Sequence, residues 1–261
     1  MNVREALHAE WTKVRTLSGT VWLLLGTIAL SITVSTVAAA SSTCPAGGCR
    51  LDPAKISLSG IDLGQAIIAI LAVVAIGGEY GTGTIRVSLA AMPRRGVVLA
   101  AKAVVITGLA LGAGTVTVLG SLLAGRIILP GKGLGPAHGY PSLSLADGPL
   151  LRAATGSVLY LALIALLSLG VATAVRDSAT AIGTVLGLLY LFPIIAAAVS
   201  TNPDWYRRLQ QIGPMTAGLA IQNTTGLHHL PIGPWAGLGV LAAWATAALL
   251  AGGLLLRLRD A

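Results

Sequence analysis

Six apolar stretches divide this chain: residues 18–40, 61–77, 97–125, 153–175, 178–200 and 234–256. A helix crosses the hydrocarbon core of a bilayer with about 20 residues. Each stretch is therefore long enough or nearly so; 61–77 is short unless its helix begins earlier at the outer end, and 97–125 is long enough to tilt or project. Inside a bilayer the backbone must satisfy its own hydrogen bonds, so segments of this kind span as helices. Composition agrees: 55% of residues are hydrophobic and 10% charged, with a mean hydropathy of +0.84, whereas a soluble domain carries about 25% charged residues. The expected fold is an all-α integral membrane protein, a single transmembrane domain over residues 1–261 with six membrane-spanning helices. The net charge of +8 comes from residues bordering the spans, and no basic patch alternates with aromatics, so no nucleic-acid partner is expected. The first apolar run, 23 residues over 18–40, exceeds the about 7–15 residues of a signal peptide's apolar region and reads as a retained span.

An even number of spans puts both termini on one side. The connections on that side, with the termini, hold Arg4, Lys13, Arg15, Arg86, Arg94, Arg95, Lys102, Arg176, Arg257 and Arg259; the longer connections on the other side hold Arg50, Lys55, Arg126, Lys132, Arg152, Arg207 and Arg208. Positive charge is denser on the first side, which places both termini in the cytoplasm. The abundance of Arg over Lys, with much Ala and Gly, fits a GC-rich bacterial genome, and the expected location is the bacterial plasma membrane.

The connections carry their own patterns. In "VREALHAEWTKVRT", Val3, Leu7, Trp11 and Val14 line one face, with Arg4, Glu5, Glu10 and Lys13 elsewhere. This predicts an amphipathic helix flat on the inner leaflet, the alternative being a frayed polar leader. Trp205, Leu209 and Ile212 recur at helical spacing with Arg207, Arg208, Gln210 and Gln211 opposite, predicting a short helix at the outer interface. Residues 215–222 read as a second short helix. In "VRDSAT", Asp177 or Ser178 is placed to cap the fifth span. Pro193 predicts a kink in that span near its outer end. Cys44 and Cys49, the chain's two cysteines, stand in "CPAGGC" in the first outer connection. Pro45, Gly47 and Gly48 allow the tight turn that a disulfide needs, and the outer face is oxidising, so an intraloop Cys44–Cys49 disulfide is expected.

Much chemistry is absent from the sequence. No G-x-x-x-x-G-K-[ST] occurs, so the chain has no P-loop of its own. His138, His228 and His229 lie in outer loops without a metal-ligating pattern, and no metal site is expected. Away from their ends the spans hold almost no ionisable groups; Asp62 lies at the outer end of the second, and Lys102, at the inner end of the third, is expected to snorkel to the interface. Carriers driven by ion gradients usually need charge at mid-membrane, so energy for any transport would come from another molecule. A membrane enzyme would lack catalytic residues here. Small-residue pairs at Gly108/Gly112, Gly183/Gly187 and Gly233/Gly237 are expected to let helices pack closely, within the chain or along a dimer seam.

The segment 76–102 departs from this apolar character. It holds Glu79, two Gly-Thr pairs, Arg86, Pro93, Arg94, Arg95 and Lys102. Thr82 or Thr84 is placed to cap a short helix that Pro93 ends, with Ile85, Leu89 and Met92 on one face. One reading is positive-inside charge on an ordinary loop; the other is a docking knob for a soluble partner. The order Glu79, Gly83-Thr84, Arg86, Pro93, Arg94, Arg95 and Lys102 resembles the segment after the second span in membrane subunits of ATP-binding-cassette (ABC) exporters of the second type, the permeases of drug, antibiotic and polysaccharide export. The likeness extends to "AEWTKVRT" before the first span, the six spans, "VRDSATAIG" and the "LRLRDA" ending; "CPAGGC" is not part of the family pattern.

The resemblance implies an N-terminal elbow helix, a cytoplasmic coupling helix after span two and short outer helices between spans five and six. It implies a dimer of permease subunits, alike or different, with cytoplasmic ABC ATPase subunits that bind ATP and Mg; this chain itself would bind no cofactor and be non-catalytic. The coupling site would comprise Glu79, Gly83, Thr84, Arg86, Leu89, Pro93, Arg94 and Arg95. The function expected is the translocation path of an ATP-driven exporter for a lipophilic or amphipathic compound, with a role in multidrug or antibiotic resistance. The rival class is a membrane-embedded immunity or interaction protein without transport of its own.

Overall fold

The structure is a computed structural model and describes residues 3–16, 18–43, 51–81, 95–136, 139–141, 143–199 and 203–258. Among the described residues there are helices and turns but no strands, and six helical stretches are long and apolar enough to cross a membrane. The chain is an all-α multi-pass membrane protein. The helix expected within 82–94, with Gly83, Thr84, Arg86, Leu89, Pro93 and Arg94, lies outside the described residues, as do Cys44 and Cys49.

Helix α1 (Val3–Thr16) precedes α2 (Ser18–Ser41); α3 (Pro53–Leu58) leads into α4 (Ile61–Gly81); α5 (Arg95–Ile128) is the longest. Helix α6 (Gly148–Val175) is followed by a broken span of α7 (Ser178–Leu186), a wide turn at Gly187–Leu191 and α8 (Phe192–Val199). Two short helices, α9 (Pro203–Ile212) and α10 (Pro214–Gly218), precede the last span, α11 (Pro234–Leu258). The centre of the bundle is α6, which packs against α4, α5, α7 and α11; α2 lies against α4 and α5. Helix α1 packs on the start of α5 through Leu7 against Val98 and Ala101, and Gly96 lies beside Arg257 of α11. The start of the chain, the start of α5 and the end of α11 thus share one end of the bundle, called here the terminal end.

The second span follows a break that its apolar pattern did not show. Asp52 caps α3, accepting from Ala54 N at 3.1 Å, and Pro53 opens the helix where its missing N–H costs nothing. The chain turns at Ser59–Gly60, and α4 supplies 21 residues, a length of about 31 Å. Gly60 is required at the turn: a Cβ there would lie 1.9 Å from the Ser31 carbonyl of α2, and Gly60 N donates to Ser35 Oγ at 3.0 Å.

The fifth span differs from the expected single kinked helix. Its turns widen at Gly187–Leu191, where Phe192 N–H reaches back to Gly187 O. The wide turn ends two residues before Pro193, whose ring would collide with a carbonyl one regular turn back. It also presents Tyr190, whose hydroxyl donates to the Asp62 carbonyl on α4. Asp177 is the cap at the other end of this span, accepting from Thr180 N at 2.7 Å; the Thr180 hydroxyl, and then this backbone N–H, hold its carboxyl below the ordinary range.

The glycine pairs expected to pack helices mostly do not. Cβ atoms at Gly108, Gly112, Gly183, Gly187 and Gly233 would meet nothing within 4 Å; of the three pairs, Gly237 alone makes a close approach, to the Ala217 carbonyl. The close crossing is elsewhere. A Cβ at Gly170 of α6 would stand 2.5 Å from the backbone of Ala248 and Leu249, and one at Gly252 would stand 2.6 Å from Gly170 O. Spacing alone cannot find such pairs because the partner glycine is on another helix. Gly170→Val is expected to force α6 and α11 apart and lower stability by about 1–3 kcal/mol, read as a fall in melting temperature in detergent; Gly239→Val, where a Cβ meets nothing within 4 Å, serves as the neutral control.

At the end opposite the termini, two connections are tied together. The Asp52 carboxylate that caps α3 also accepts from Thr224 N at 2.5 Å, Thr224 Oγ1 at 2.7 Å and Thr225 N at 2.9 Å. Arg152 Nη2 donates to Asn223 O at 2.6 Å. The helix expected from the spacing of Trp205, Leu209 and Ile212 is present as α9, with no residue buried by the rest of the chain.

Candidate functional site

Four charged side chains meet at the terminal end, where α1, α4 and α5 converge. Lys102, in the second turn of α5, places Nζ 2.6 Å from Glu10 Oε2 on α1 and 3.1 Å from Glu79 Oε1 in the last turn of α4. Lys13 places its Nζ 2.9 Å from Glu10 Oε1 and 2.9 Å from Glu79 Oε1. The result is a closed ring of alternating sign, Glu10–Lys13–Glu79–Lys102, in which every charge touches two of opposite sign. Lys102 also donates to Ala75 O of α4 at 3.0 Å.

Burial sets the energetics of the ring. Glu10 is 1% exposed and Lys102 3%. Neither would keep its charge at such a site alone, because moving an ion out of water costs several kcal/mol after relaxation. The ring is neutral overall, and each lysine meets both carboxylates, so the charges are offset locally. Burial pushes the Glu10 carboxyl up, but Lys102 and Lys13 outweigh it and hold the group below its ordinary value of 4.5. Its contribution to stability is therefore present above about pH 4.5 and is lost as pH falls through the lower folded value. Burial would lower the Lys13 ammonium, yet the hydrogen bonds to Glu79 and Glu10 leave it raised.

Two expectations change here. Lys102 does not extend freely away from the bundle: it is buried, and carboxylates from α1 and α4 hold its ammonium. Glu10 is not on an outward polar face of α1. Leu7, Glu10 and Val14 recur at i, i+3, i+7, and this stripe, rather than one centred on Trp11, turns inward; Trp11 is 48% exposed. The signal that could have found the ring was a glutamate on an apolar stripe together with a lone lysine inside an apolar run.

A second brace stands beside the ring. Arg176, the left-handed residue (φ 64°) ending α6, donates from Nη2 to Leu255 O of α11 at 3.2 Å and lies 5.8 Å from the centre of the Tyr80 ring. Glu79 and Tyr80, adjacent at the end of α4, are thus held by α1, α5 and the α6–α7 turn. Gly77 allows α4 and α7 to meet, since a Cβ there would lie 2.2 Å from Ser178 Oγ.

Of the residues expected at a coupling site, Glu79 belongs to the ring and Arg95 is the first residue of α5. The ring sits at the base of the 82–94 connection: Glu79 precedes it by three residues and Lys102 follows it by eight. Lys13 and Glu10 bind both sides of that base to α1. No family model matches the chain, and no curated protein matches it at a significant level.

Proposed function

We propose that this chain is the permease subunit of an ATP-driven ABC exporter, with the 82–94 connection as the element that docks on a separate ATPase. The observation that carries the reading is the charge ring. It ties the two helices flanking this connection to α1, so a push on the connection would reach three helices at once. An interaction protein that only sat in the membrane would have no need to fix both arms of one short loop to the amphipathic N-terminal helix. The motif likeness in residues 79–102 supports the same reading.

In this reading α1 is the elbow helix on the cytoplasmic leaflet and α9 and α10 are the short outer helices. ATP and Mg are held by the partner ATPase subunits. A second permease subunit completes the path, and the open faces at Gly108, Gly112 and Gly183 suit close approach of another helix. The apolar spans fit a lipophilic or amphipathic cargo.

The test is biochemical. The tagged chain, solubilised gently from its native membrane, is expected to bring down a Walker-motif ATPase whose activity the chain modulates, while the chain alone shows no hydrolysis. ATP hydrolysis by the purified chain free of any partner would overturn the reading, as would failure of any ATPase to accompany it.

A further inference from the structure

Helix α1 has a face that the charge ring does not use. Arg4, His8, Trp11 and Arg15 recur at i, i+4, i+7 and i+11, a spacing that sets them along one side of the helix. All four are exposed, Trp11 to 48%. The stripe carries no carboxylate: Glu10 is in the ring, and Glu5 lies about 100° round the helix from Arg4. Arg4 and Arg15 are 11 residues apart, about 16 Å along the axis.

The fold fixes the level at which this face lies. The ring ties α1 to the last turn of α4 and the second turn of α5, so the helix is held level with the ends of two spans. It stops at Thr16, and α2, itself a span, begins at Ser18. Leu7, Glu10 and Val14 turn to the bundle; Arg4, His8, Trp11 and Arg15 form the next face round. A helix at this level meets the boundary between hydrocarbon and water. Tryptophan is enriched there, and an arginine can lay its stem on apolar surface while its guanidinium stays among headgroups. Trp22, in the second turn of α2, is 72% exposed, so an exposed indole stands on either side of the bend between the two helices.

Charge decides which lipid such a face selects. A helix resting on a leaflet by its apolar residues alone prefers no lipid class. Two guanidiniums with no carboxylate between them favour headgroups of net negative charge; a zwitterionic headgroup brings an ammonium that the same guanidiniums repel. We propose that the Arg4–His8–Trp11–Arg15 face binds the headgroups of anionic phospholipids in the leaflet at the terminal end. Helix α1 then has acidic lipid on one side and the charge ring on another, so lipid composition bears directly on the helix that carries Glu10 and Lys13. The inference needs α1 to lie at a bilayer surface and does not depend on whether the chain exports anything.

The test uses the full chain in nanodiscs of phosphatidylglycerol and phosphatidylethanolamine in equal amounts, with one of the two lipids carrying bromine high on its acyl chains. Bromine quenches nearby tryptophan, and subtracting the signal of a Trp11→Phe counterpart isolates Trp11 from the chain's other tryptophans. Brominated phosphatidylglycerol is expected to quench Trp11 about twofold or more strongly than brominated phosphatidylethanolamine. Arg4→Gln/Arg15→Gln, which alters exposed residues only, should bring the two lipids level. High salt, which screens exposed charge, should do the same in the wild-type chain, so the outcome does not hang on the folding of the variant. Equal quenching by both lipids in wild type would overturn the proposal, as would a preference that survives the double substitution or high salt. Quenching by neither lipid would also overturn it, by placing the face in water and leaving it to a soluble partner.

Discussion

Lys102→Met is expected to destabilise the protein by about 3–5 kcal/mol, because it removes one partner from a buried ion cluster and leaves the other charges behind. Methionine keeps the length and apolar volume of the lysine stem, so the volume filled changes little. What changes is charge: of the ring's two ammonium groups only that of Lys13 would remain beside Glu10 and Glu79. Lys13 is 41% exposed at its side chain, and solvent already screens it. Lys13→Met should therefore cost much less than Lys102→Met. The double variant Glu10→Gln/Lys102→Met restores neutrality and should recover most of the loss, since a buried pair is costly mainly when broken on one side. Melting temperatures of the three variants in the same detergent check the ordering. A Lys102→Met protein that melts like wild type would mean that the lysine reaches the interface and that the ring is not formed.

How much of this was legible in the sequence depends on the length scale of the signal. The six spans were readable because each is a long run in which hydrocarbon leaves the backbone one solution. Asp177 as a helix cap was readable because capping is local, and α9 because Trp205, Leu209 and Ile212 repeat within ten residues. What was missed is set by contacts between distant segments. Glu10 and Lys102 are 92 residues apart; nothing local says that a glutamate on α1 will find a lysine on α5. The break at Ser59–Gly60 is fixed by the Ser31 carbonyl of α2, and Gly170 meets Gly252 across two helices. The left-handed Arg176 and the wide turn before Pro193 are likewise answers to neighbours.

If the chain is the exporter subunit we propose, Arg86→Glu and Leu89→Asp are each expected to abolish ATPase docking or substrate-stimulated hydrolysis while leaving insertion and melting unchanged. If the charge in residues 76–102 served orientation alone, its exact placement would matter little. Nine other positive residues would still mark the side assigned to the cytoplasm after Arg86→Glu, and transport would survive. In a docking surface the same change sets a carboxylate where a partner meets a guanidinium, and reversing one member of such a pair can cost several kcal/mol. Leu89→Asp attacks the apolar stripe that the sequence leads us to expect at Ile85, Leu89 and Met92, and in a docking surface it would leave an unpaired charge where the partner buries it. The charge ring makes the comparison cleaner: because Glu79 and Lys102 anchor the helices on either side, loss of docking in these variants should not loosen the bundle. A cysteine placed at Ser88, with Cys44 and Cys49 replaced, should cross-link to the ATPase. Wild-type hydrolysis and docking in both variants, with no cross-link from position 88 or its neighbours, would reduce this stretch to inside-facing charge and remove the role in transmission proposed for the ring.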